Sequence, residues 1–443
     1  MSETIKIGKG LNLKLRGEAT DTAIDTLTTT FGIVPDDFPG WKWKLLVKEG
    51  EKVSKGSPLL TDKSDRGICI VSPVNGTVSK IVRGERRKIE AIEVNAEKET
   101  ESAKPDVKQG SAEEIISTLC KAGLWGMMRQ RPYDYVPDPT VEPRDIFITA
   151  FDTAPLANPM ITSAMRDNLQ AGIKILAQLT KGKVFLGVSP ENPINSDVAR
   201  VYEFVGPHPA GNVGVQIANI KPVNKKEVVW ALDARLVVRI GALFSSDTLD
   251  MSAEVAVTGP EVIDPAIITT TVGAKLSSLL KGHIAHPEED RIISGNVLTG
   301  WKSKVEEDFL RWPYRQVTII KEGDHADEFM GWASMNPSKY SVKRSFPAFL
   351  RGLKKPFDFD ARIKGGHRAM ILSGEYDKVF PFDIYPEYLI KAILAKDIDR
   401  MEQLGIYEVA PEDFALPEFV DTSKNELQKI VRDGLKYLHD EVE

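Results

Sequence analysis

Cysteines and histidines are the side chains that could hold a metal in this chain of 443 residues. The two cysteines, Cys69 and Cys120, stand far apart in sequence, whereas an ordinary iron–sulfur cluster needs a full set of cysteine ligands. The chain therefore cannot supply a cluster by itself, and a disulfide is not expected in a reducing compartment. His283 and His286 are close enough in sequence to share a metal, but a polar loop is the favoured interpretation. We predict no metal site.

Residues for nucleophilic catalysis or phosphate binding form no recognisable pattern. No Ser/His/Asp or Cys/His arrangement stands out, so no catalytic residue is predicted. Lys63 lacks the flanking residues of a biotin- or lipoyl-carrying lysine and is interpreted as a solvated loop charge. No G-x-G-x-x-G or P-loop string occurs, and Gly211 and Gly214 are interpreted as turn glycines outside a strand-to-helix context. No cofactor-binding residue is predicted either.

The composition is typical of a globular, acidic protein. Charged residues make up 28% of the chain, and the net charge of −6 argues against a nucleic-acid partner. No uncharged apolar stretch reaches the roughly 18 residues of a membrane span, so no transmembrane segment is predicted. The first sixteen residues lack the continuous apolar core of a signal peptide. We expect a cytoplasmic chain that reaches a membrane only through a protein partner.

The N-terminal part of the chain is predicted to consist of short strands and tight turns. Asn75-Gly76 is a strong hairpin signal, because both residues tolerate positive φ. The charged residues 96–110 are interpreted as a linker. The capping-box pattern from Ser111 to Glu114 then predicts a helix that continues to about Ala122.

Apolar runs alternate with helical-looking stretches, at about 159–180 and 196–204, in the middle of the chain. This alternation predicts a parallel sheet with covering helices. Near the C-terminus, residues 384–404 and 423–440 are predicted to be helical, with Leu389, Ile390, Ile393 and Leu394 on one face. The predicted fold class is α+β multidomain, and the predicted divisions are 1–100, 106–253, 254–305, a β-rich segment at 306–376, and a helical region at 377–443.

These divisions carry a family likeness. Residues 47–82 resemble a barrel-sandwich hybrid of the biotinyl/lipoyl type, the next division a Rossmann-like α/β domain, and residues 255–300 an SLBB β-grasp domain. Their order resembles the A subunits of bacterial Na⁺-translocating NADH:quinone oxidoreductases, with the C subunit of the Rnf complex and the flavin subunit of complex I as distant relatives. The strings that support this resemblance include Gly84-Glu-Arg-Arg87, His208-Pro-Ala-Gly211, Gly331-Trp332 and Gly365-Gly-His-Arg-Ala-Met370.

The resemblance implies a peripheral subunit on the cytoplasmic side of the bacterial inner membrane. The implied complex transfers electrons from NADH to ubiquinone or menaquinone and couples this to Na⁺ export. Its integral membrane and flavin subunits would be the partners, and FMN, FAD, riboflavin and iron–sulfur groups are expected on them. This chain is expected to bind no redox cofactor: bulky residues between Gly123 and Tyr133 stand where relatives have a glycine-rich FMN loop, and residues 410–424 lack the cluster cysteines of relatives.

Quinone proximity is the role that the resemblance leaves to this chain. A quinone headgroup needs an apolar, aromatic slot with one or two hydrogen-bond donors. The segments 31–43 and 124–133 have that composition. The residues predicted to lie near a quinone are Phe38, Trp41, Trp125, Arg129 and Arg131. The alternative is that the tryptophans are ordinary core or interface aromatics.

Two other functions remain open at this point. One is a flavin-dependent electron-transfer subunit like the Rnf C subunit, which would bind FMN itself. The other is a soluble ligand-binding or carrier module, as the barrel-sandwich and β-grasp domains alone would suggest.

Overall fold

A computed structural model describes residues 3–25, 28–97, 105–324, 336–342, 346–351 and 355–442. The string Gly331-Trp332 lies outside these described residues. The strands before the first helix are β1 (Glu3–Lys6), β2 (Thr20–Asp25), β3 (Thr30–Ile33), β4 (Trp43–Leu45), β5 (Lys52–Val53), β6 (Pro58–Asp62), β7 (Cys69–Val71), β8 (Gly76–Arg83) and β9 (Ile89–Ala96).

Two small antiparallel sheets form the sandwich near the N-terminus. One sheet has the order β3-β9-β8-β5 and the other the order β4-β6-β7. Leu59, Leu60, Val78 and Ile92 have no exposed surface and form its core. The first two strands lie elsewhere: β1 pairs with the α/β sheet and β2 with the sheet that follows it. The sandwich is therefore shorter than the predicted division 1–100.

The predicted hairpin at Asn75-Gly76 is wrong. Strand β7 pairs with β6, whereas β8, which begins at Gly76, pairs with β9 and β5. The turn therefore carries the chain from one sheet of the sandwich to the other. Neither Asn75 nor Gly76 has a positive φ, and each strand pairs with its other neighbour in sequence, β7 with the preceding β6 and β8 with the following β9.

The predicted helix start is confirmed, but the reciprocal bond of a capping box is replaced by one from the backbone N–H of Gly110 to Glu114 Oε2 at 2.8 Å. Helix α1 (Ala112–Lys121) begins after Ser111, whose side chain accepts a hydrogen bond of 3.3 Å from the backbone N–H of Glu114. A 3₁₀ turn at Trp125–Met127 follows, and then strand β10 (Arg129–Arg131).

The predicted parallel sheet is present. The elements of this α/β region are β11 (Asp145–Thr149), α2 (Arg166–Leu176), β12 (Val184–Val188), β13 (Arg200–Val205), α3 (Val213–Ile220), β14 (Val229–Asp233) and α4 (Ala234–Ser246). The sheet order is β1-β13-β12-β11-β14-β10, with β10 antiparallel to its neighbour. The prediction of helix at 196–204 is wrong, because most of that segment is β13. Strand β13 pairs with β12 on one side and β1 on the other, and Phe204 is its buried residue.

A second mixed sheet follows. Its elements are β15 (Ser252–Thr258), β16 (Ala266–Thr271), the short helix α5 (Leu276–Leu279), β17 (Asp290–Ser294), β18 (Trp301–Ser303) and β19 (Gln316–Lys321). The strand order is β18-β17-β19-β15-β16-β2. Strand β19 lies beyond the predicted boundary of the 254–305 domain, yet it belongs to the sheet of that domain, between β17 and β15.

The prediction of a β-rich segment at 306–376 needs correction. Within the described part of that segment, β19 and the helix α6 (Ala348–Arg351) are the regular elements, apart from single bridges such as Leu15 to Phe357. The correction has a physical reason: Tyr340, Phe357 and Phe359 contact one another in a small aromatic cluster, and alternation over a few residues does not distinguish such packing from a strand.

The C-terminal region is helical, as predicted, with α7 (Pro386–Ala395), α8 (Ile398–Gln403), α9 (Ala415–Val420) and α10 (Leu427–Val442). Leu389, Ile390 and Ile393 are buried, whereas Leu394, predicted on the same face, is exposed. These helices share one hydrophobic core with Phe204 of the α/β region.

Among the described residues, the structure holds no helix with both the length and the apolar character that crossing a bilayer demands.

Candidate functional site

Two adjoining cavities lie where the regions meet, and the larger has a volume of about 530 Å³. It is bordered by Thr149 and Asp233, the last residues of the neighbouring parallel strands β11 and β14. After β11 the chain continues to β12 on one side, and it later returns through α3 to β14 on the other side. Such a switch point at the carboxyl edge of a parallel sheet is where open α/β folds bind ligands.

The smaller cavity has a volume of about 220 Å³ and lies between the sandwich, α4 and the second sheet. Both cavities are bordered by the segment from Arg311 to Arg315, which therefore separates them. Phe38 and Met127 contribute apolar surface to the smaller cavity, and Arg235 and Arg239 contribute charge.

The loop after β13 borders the larger cavity and leads into α3. Gly211 donates its backbone N–H to Thr153 Oγ1 at 3.0 Å and accepts a hydrogen bond of 2.9 Å from Thr149 Oγ1. Gly211 therefore stands between β13 and α3, and Gly214 lies in the first turn of α3, which corrects the sequence interpretation. The intervening residues give no strand signal clear enough to reveal that context.

The chain's own carboxylate lies close to the amino end of α3. A Cβ atom at Gly214 would lie 2.6 Å from Oδ1 of Asp413, so the backbone at Gly214 and this carboxylate are in close contact. The other oxygen of Asp413 accepts a 2.8 Å hydrogen bond from the backbone N–H of Ala410. A segment from the C-terminal region therefore fills the space at the amino end of α3.

Arg131 joins the α/β region to this same segment. Its side chain is 2% exposed, and Nη2 lies 2.9 Å from Oε1 of Glu412 while Nη1 pairs with Asp134. Burial raises the pKa of Asp413 to about 8, and the neighbouring charge of Glu412 raises it further while Arg131 opposes the shift. The site thus holds a carboxyl group whose proton is retained well above its usual range.

The guanidinium group of Arg129 donates its hydrogen bonds to backbone carbonyls. Nη2 donates to the carbonyl of Asp37 at 2.6 Å, and Nη1 donates to that of Met128 at 2.9 Å. The side chain of Asp37 in turn receives Arg311 Nε at 2.5 Å and the backbone N–H of Trp312 at 3.0 Å. This network fixes the wall between the two cavities.

The predicted quinone-proximal residues are not all brought together. Arg129 and Arg131 border the larger cavity, and Phe38 borders the smaller one. Trp125 has no exposed surface: its Nε1 donates to the carbonyl of Pro137 at 2.8 Å, and its ring meets Trp230 edge-on at 5.0 Å. Trp41 donates to the carbonyl of Val136 at 2.9 Å and borders neither cavity.

Sequence reasoning missed the cavity wall at Arg311-Trp-Pro-Tyr-Arg315. Its aromatic and arginine content is the same signal that drew attention to residues 125–131, so the signal was available. Arg239 could not be found in this way, because it stands inside a helix whose other side chains are mostly apolar.

Metal chemistry finds no support in the described residues, since none of their His, Cys, Asp and Glu side chains gather in threes at a possible metal site. His283 Nδ1 lies 2.9 Å from the carbonyl of Asp264, as expected in a polar loop. Burial raises the pKa of the thiols of Cys69 and Cys120, so both favour the neutral form.

Comparison with known proteins gives a consistent result. Family models match for the NqrA N-terminal barrel-sandwich hybrid domain at residues 5–97, the NqrA second alpha/beta domain at 110–249, and the NQRA C-terminal domain, an SLBB-type model, at 254–305.

Relatives match over nearly the full chain. The A subunit of the Na(+)-translocating NADH-quinone reductase of Marinomonas sp. (strain MWYL1) is 36% identical, covering 98% of this chain and 99% of its own length. Those of Rhodopirellula baltica and Pasteurella multocida are both 35% identical, over 97% and 99% of this chain and 97% and 100% of their own lengths. A solved NAD+-reducing [NiFe]-hydrogenase in the H2-reduced state aligns with a TM-score of 0.33 at 11% identity, covering 68% of this chain and 55% of its own, which is too low to support an argument.

The fold and the matched domains define a multidomain subunit built from a barrel-sandwich hybrid, an α/β domain and an SLBB-type domain, with helices at the C-terminus. The chain belongs to the family formed by the A subunits of Na⁺-translocating NADH-quinone reductases. The predicted family, fold class and membership of an enzyme complex are thereby confirmed.

Proposed function

We propose that this chain is a peripheral subunit on the cytoplasmic side of the complex, that it carries no electrons itself, and that a quinone headgroup comes near its larger cavity. The observation that carries the proposal is the position of that cavity, at the carboxyl edge of the parallel sheet with Arg129 and Arg131 on its wall. Open α/β sheets use this edge for ligands.

The proposed absence of a flavin needs a different reason from the one the sequence suggested. Residues 123–133 lead into the antiparallel strand β10 rather than from a parallel strand into a helix, so their bulk is not decisive. Of the loops at the carboxyl edge, those after β11 and β13 border the larger cavity. The first, residues 150–165, contains no glycine. The second ends at α3, where the Asp413 side chain lies against Gly214 and occupies the space that a phosphate at the helix amino end would need.

The quinone part of the proposal rests on donors that border the larger cavity. Trp312 and Tyr314 add aromatic surface there, and Arg131 Nε has no hydrogen-bond partner among the described residues. A quinone oxygen could accept from such a donor while its ring lies against an aromatic side chain. Trp41 and Trp125 have no part in this version of the site, because their indole N–H groups already donate to the backbone.

The remaining roles follow from membership of a multi-subunit complex. We propose that integral membrane and flavin subunits are the partners and that FMN, FAD, riboflavin and iron–sulfur groups reside on them. On this proposal the chain supports electron transfer from NADH to ubiquinone or menaquinone without taking a direct part in Na⁺ movement.

Photolabelling of the assembled complex with a quinone analogue tests the quinone site. We expect labelled peptides from the walls of the larger cavity, and an Arg131→Gln variant should reduce their yield several-fold. An Arg400→Gln variant is the control, since that side chain is exposed. Label found only on other subunits would refute quinone proximity.

Affinity purification from native membranes tests the class of protein. We expect integral redox subunits to co-purify with the chain and the separately purified chain to be colourless. Flavin absorbance in the isolated chain would instead favour an electron-transfer subunit like the Rnf C subunit.

A further inference from the structure

We propose that the smaller cavity binds an organic anion, with a carboxylate or phosphate held by Arg239 and Arg315 and a flat apolar body against Phe38 and Trp312. This inference goes beyond the proposed function and does not depend on it, because the quinone proposal concerns a neutral headgroup in the larger cavity.

Unused donors are the first observation. Arg239 is 7% exposed; its Nη2 donates to the carbonyl of Ser252 at 2.6 Å, but its Nη1 has no hydrogen-bond partner among the described residues. Within the same part of the chain, Arg315 Nη1 and Trp312 Nε1 are also buried without a partner. Buried donors in folded proteins are normally satisfied, so three unsatisfied ones beside one cavity point to a missing acceptor.

The carboxylates near the cavity are engaged elsewhere. Glu254 pairs with Arg235, and Asp250 accepts from the backbone N–H of Ser252 at 2.9 Å. Asp233 caps α4 by accepting from the backbone N–H of Leu236 at 2.8 Å. Among the described residues, no carboxylate lies within ion-pairing distance of Arg239.

Arg315 is scarcely better paired than Arg239. Its Nη2 lies 3.9 Å from Oδ2 of Asp152, which is beyond hydrogen-bonding distance. Both arginines therefore keep a buried positive charge that is only weakly compensated.

Mutual repulsion favours a charged ligand over a neutral one. Burial lowers the pKa of Arg239, and the charges of Arg235 and Arg315 lower it further while Asp233 and Asp250 oppose the shift. Burial likewise lowers the pKa of Arg315. An anion between the two guanidinium groups would compensate both charges in a site of low dielectric constant, where such an interaction is strong.

The apolar side chains of the cavity determine which kind of ligand body fits it. Phe38, Met127 and Leu310 provide apolar surface, and the ring of Trp312 lies 5.2 Å from the guanidinium carbon of Arg239. The volume of about 220 Å³ is below the roughly 300–1,000 Å³ of drug-sized pockets, so one or two fused rings are the expected size.

Isothermal titration calorimetry on the full chain with 2-naphthoate and 2-naphthamide provides the test. The two probes have nearly the same shape and differ in charge. We expect naphthoate to bind at least tenfold more tightly than naphthamide. Equal affinities, or no binding of naphthoate, would overturn the proposal.

Variants assign the binding to this cavity. Arg239→Met and Arg315→Met should each weaken naphthoate binding at least tenfold, whereas Arg400→Met, on an exposed helix face, should not change it. Thermal unfolding without ligand identifies any variant that fails to fold. If Arg239→Met fails to fold, Arg239→Lys replaces it, because lysine keeps the charge but lacks the free Nη1. This variant should weaken naphthoate binding less than Arg315→Met does. Unchanged affinity in both arginine variants would contradict the assignment.

A quinone experiment remains separate from this one. Naphthoate binding that depends on Arg239, together with quinone label absent from this chain, would support the anion site and refute the proposed quinone site. Quinone label on this chain, together with naphthoate binding that does not depend on Arg239, would support the proposed quinone site and refute the anion site.

Discussion

Asp37 and Arg311 are far apart in sequence but in direct contact, because Oδ1 of Asp37 lies 2.5 Å from Nε of Arg311. The pair joins the barrel-sandwich to the wall that separates the two cavities. Burial raises the pKa of Asp37, and the charge and hydrogen bond of Arg311 oppose the rise. By its geometry the contact is a buried ion pair.

Asp37→Asn should destabilise the protein because it leaves the Arg311 charge largely buried and unpaired. Breaking a buried pair from one side costs about 3–5 kcal/mol. The free energy of unfolding, measured by urea denaturation, should fall by about 3 kcal/mol. The neighbouring Asp36→Asn is a matched control. Its salt bridge with Lys88 is more than half exposed on both sides, so a change below about 1 kcal/mol is expected. Equal effects of the two variants would contradict the importance of the buried pair.

Gly214→Ala should destabilise the contact between α3 and the C-terminal region. The new Cβ would lie 2.6 Å from Asp413 Oδ1, a separation that requires the chain to shift. Overpacking of this kind costs about 1–3 kcal/mol. Gly366→Ala is the control, because nothing lies within 4 Å of a Cβ there. Thermal unfolding of both variants gives the comparison, and similar midpoints would show that the contact is looser than the structure indicates.

Asp413 should make stability depend on pH above neutrality. Its pKa is about 8 in the folded chain against an ordinary value of 3.8, so the folded state holds the proton more tightly. The stabilisation is complete below the unfolded pKa and is lost as pH rises through the folded one. Between pH 7 and 8.5 the free energy of unfolding should therefore fall with pH. Burial lowers the pKa of His208 to about 4 in the folded chain, and an unfolded histidine is mostly neutral in this window, so His208 contributes little to the slope.

The Asp413→Asn variant isolates this contribution. It has no proton to lose, so its free energy of unfolding should decline less over the same pH range. Urea denaturation at two pH values measures both slopes. Parallel slopes for the variant and the original chain would show that Asp413 is ionised in the folded state.

Trp125→Phe should affect stability and not ligand binding. The substitution removes the indole donor to the Pro137 carbonyl and part of the contact with Trp230. A loss of about 1–3 kcal/mol in the free energy of unfolding is expected, since the carbonyl loses its partner and a small cavity forms. Quinone photolabelling of the assembled complex should stay within twofold of its original yield. A selective loss of label with unchanged stability would return Trp125 to the quinone site.

Local signals in the sequence were reliable where the structure depends on neighbouring residues. Ser111 caps α1 because its hydroxyl reaches the N–H of a residue three positions later, and this requires no distant partner. The hairpin predicted at Asn75-Gly76 was wrong, because neither residue has a positive φ and β7 and β8 pair with β6 and β9 instead of with each other.

The candidate site was predictable only in part for the same reason. Arg129 and Arg131 border the larger cavity, yet the indole of Trp125 between them and α1 points into the core. A sequence segment shows which residue types are near one another, but it does not show which side of the chain faces a cavity. Arg239 illustrates the limit, because its position is useful only when α4 is placed against the second sheet.

Strands β1 and β2 have a consequence for dissecting this protein. Residues 3–6 complete one edge of the α/β sheet, and residues 20–25 complete one edge of the sheet that follows it. A fragment that begins at the sandwich would leave both edges with unpaired backbone groups, which promote self-association. Strand β1 thus depends on residues some two hundred positions later in the chain, and we expect fragments cut at the boundaries of the matched domains to self-associate more readily than the whole chain.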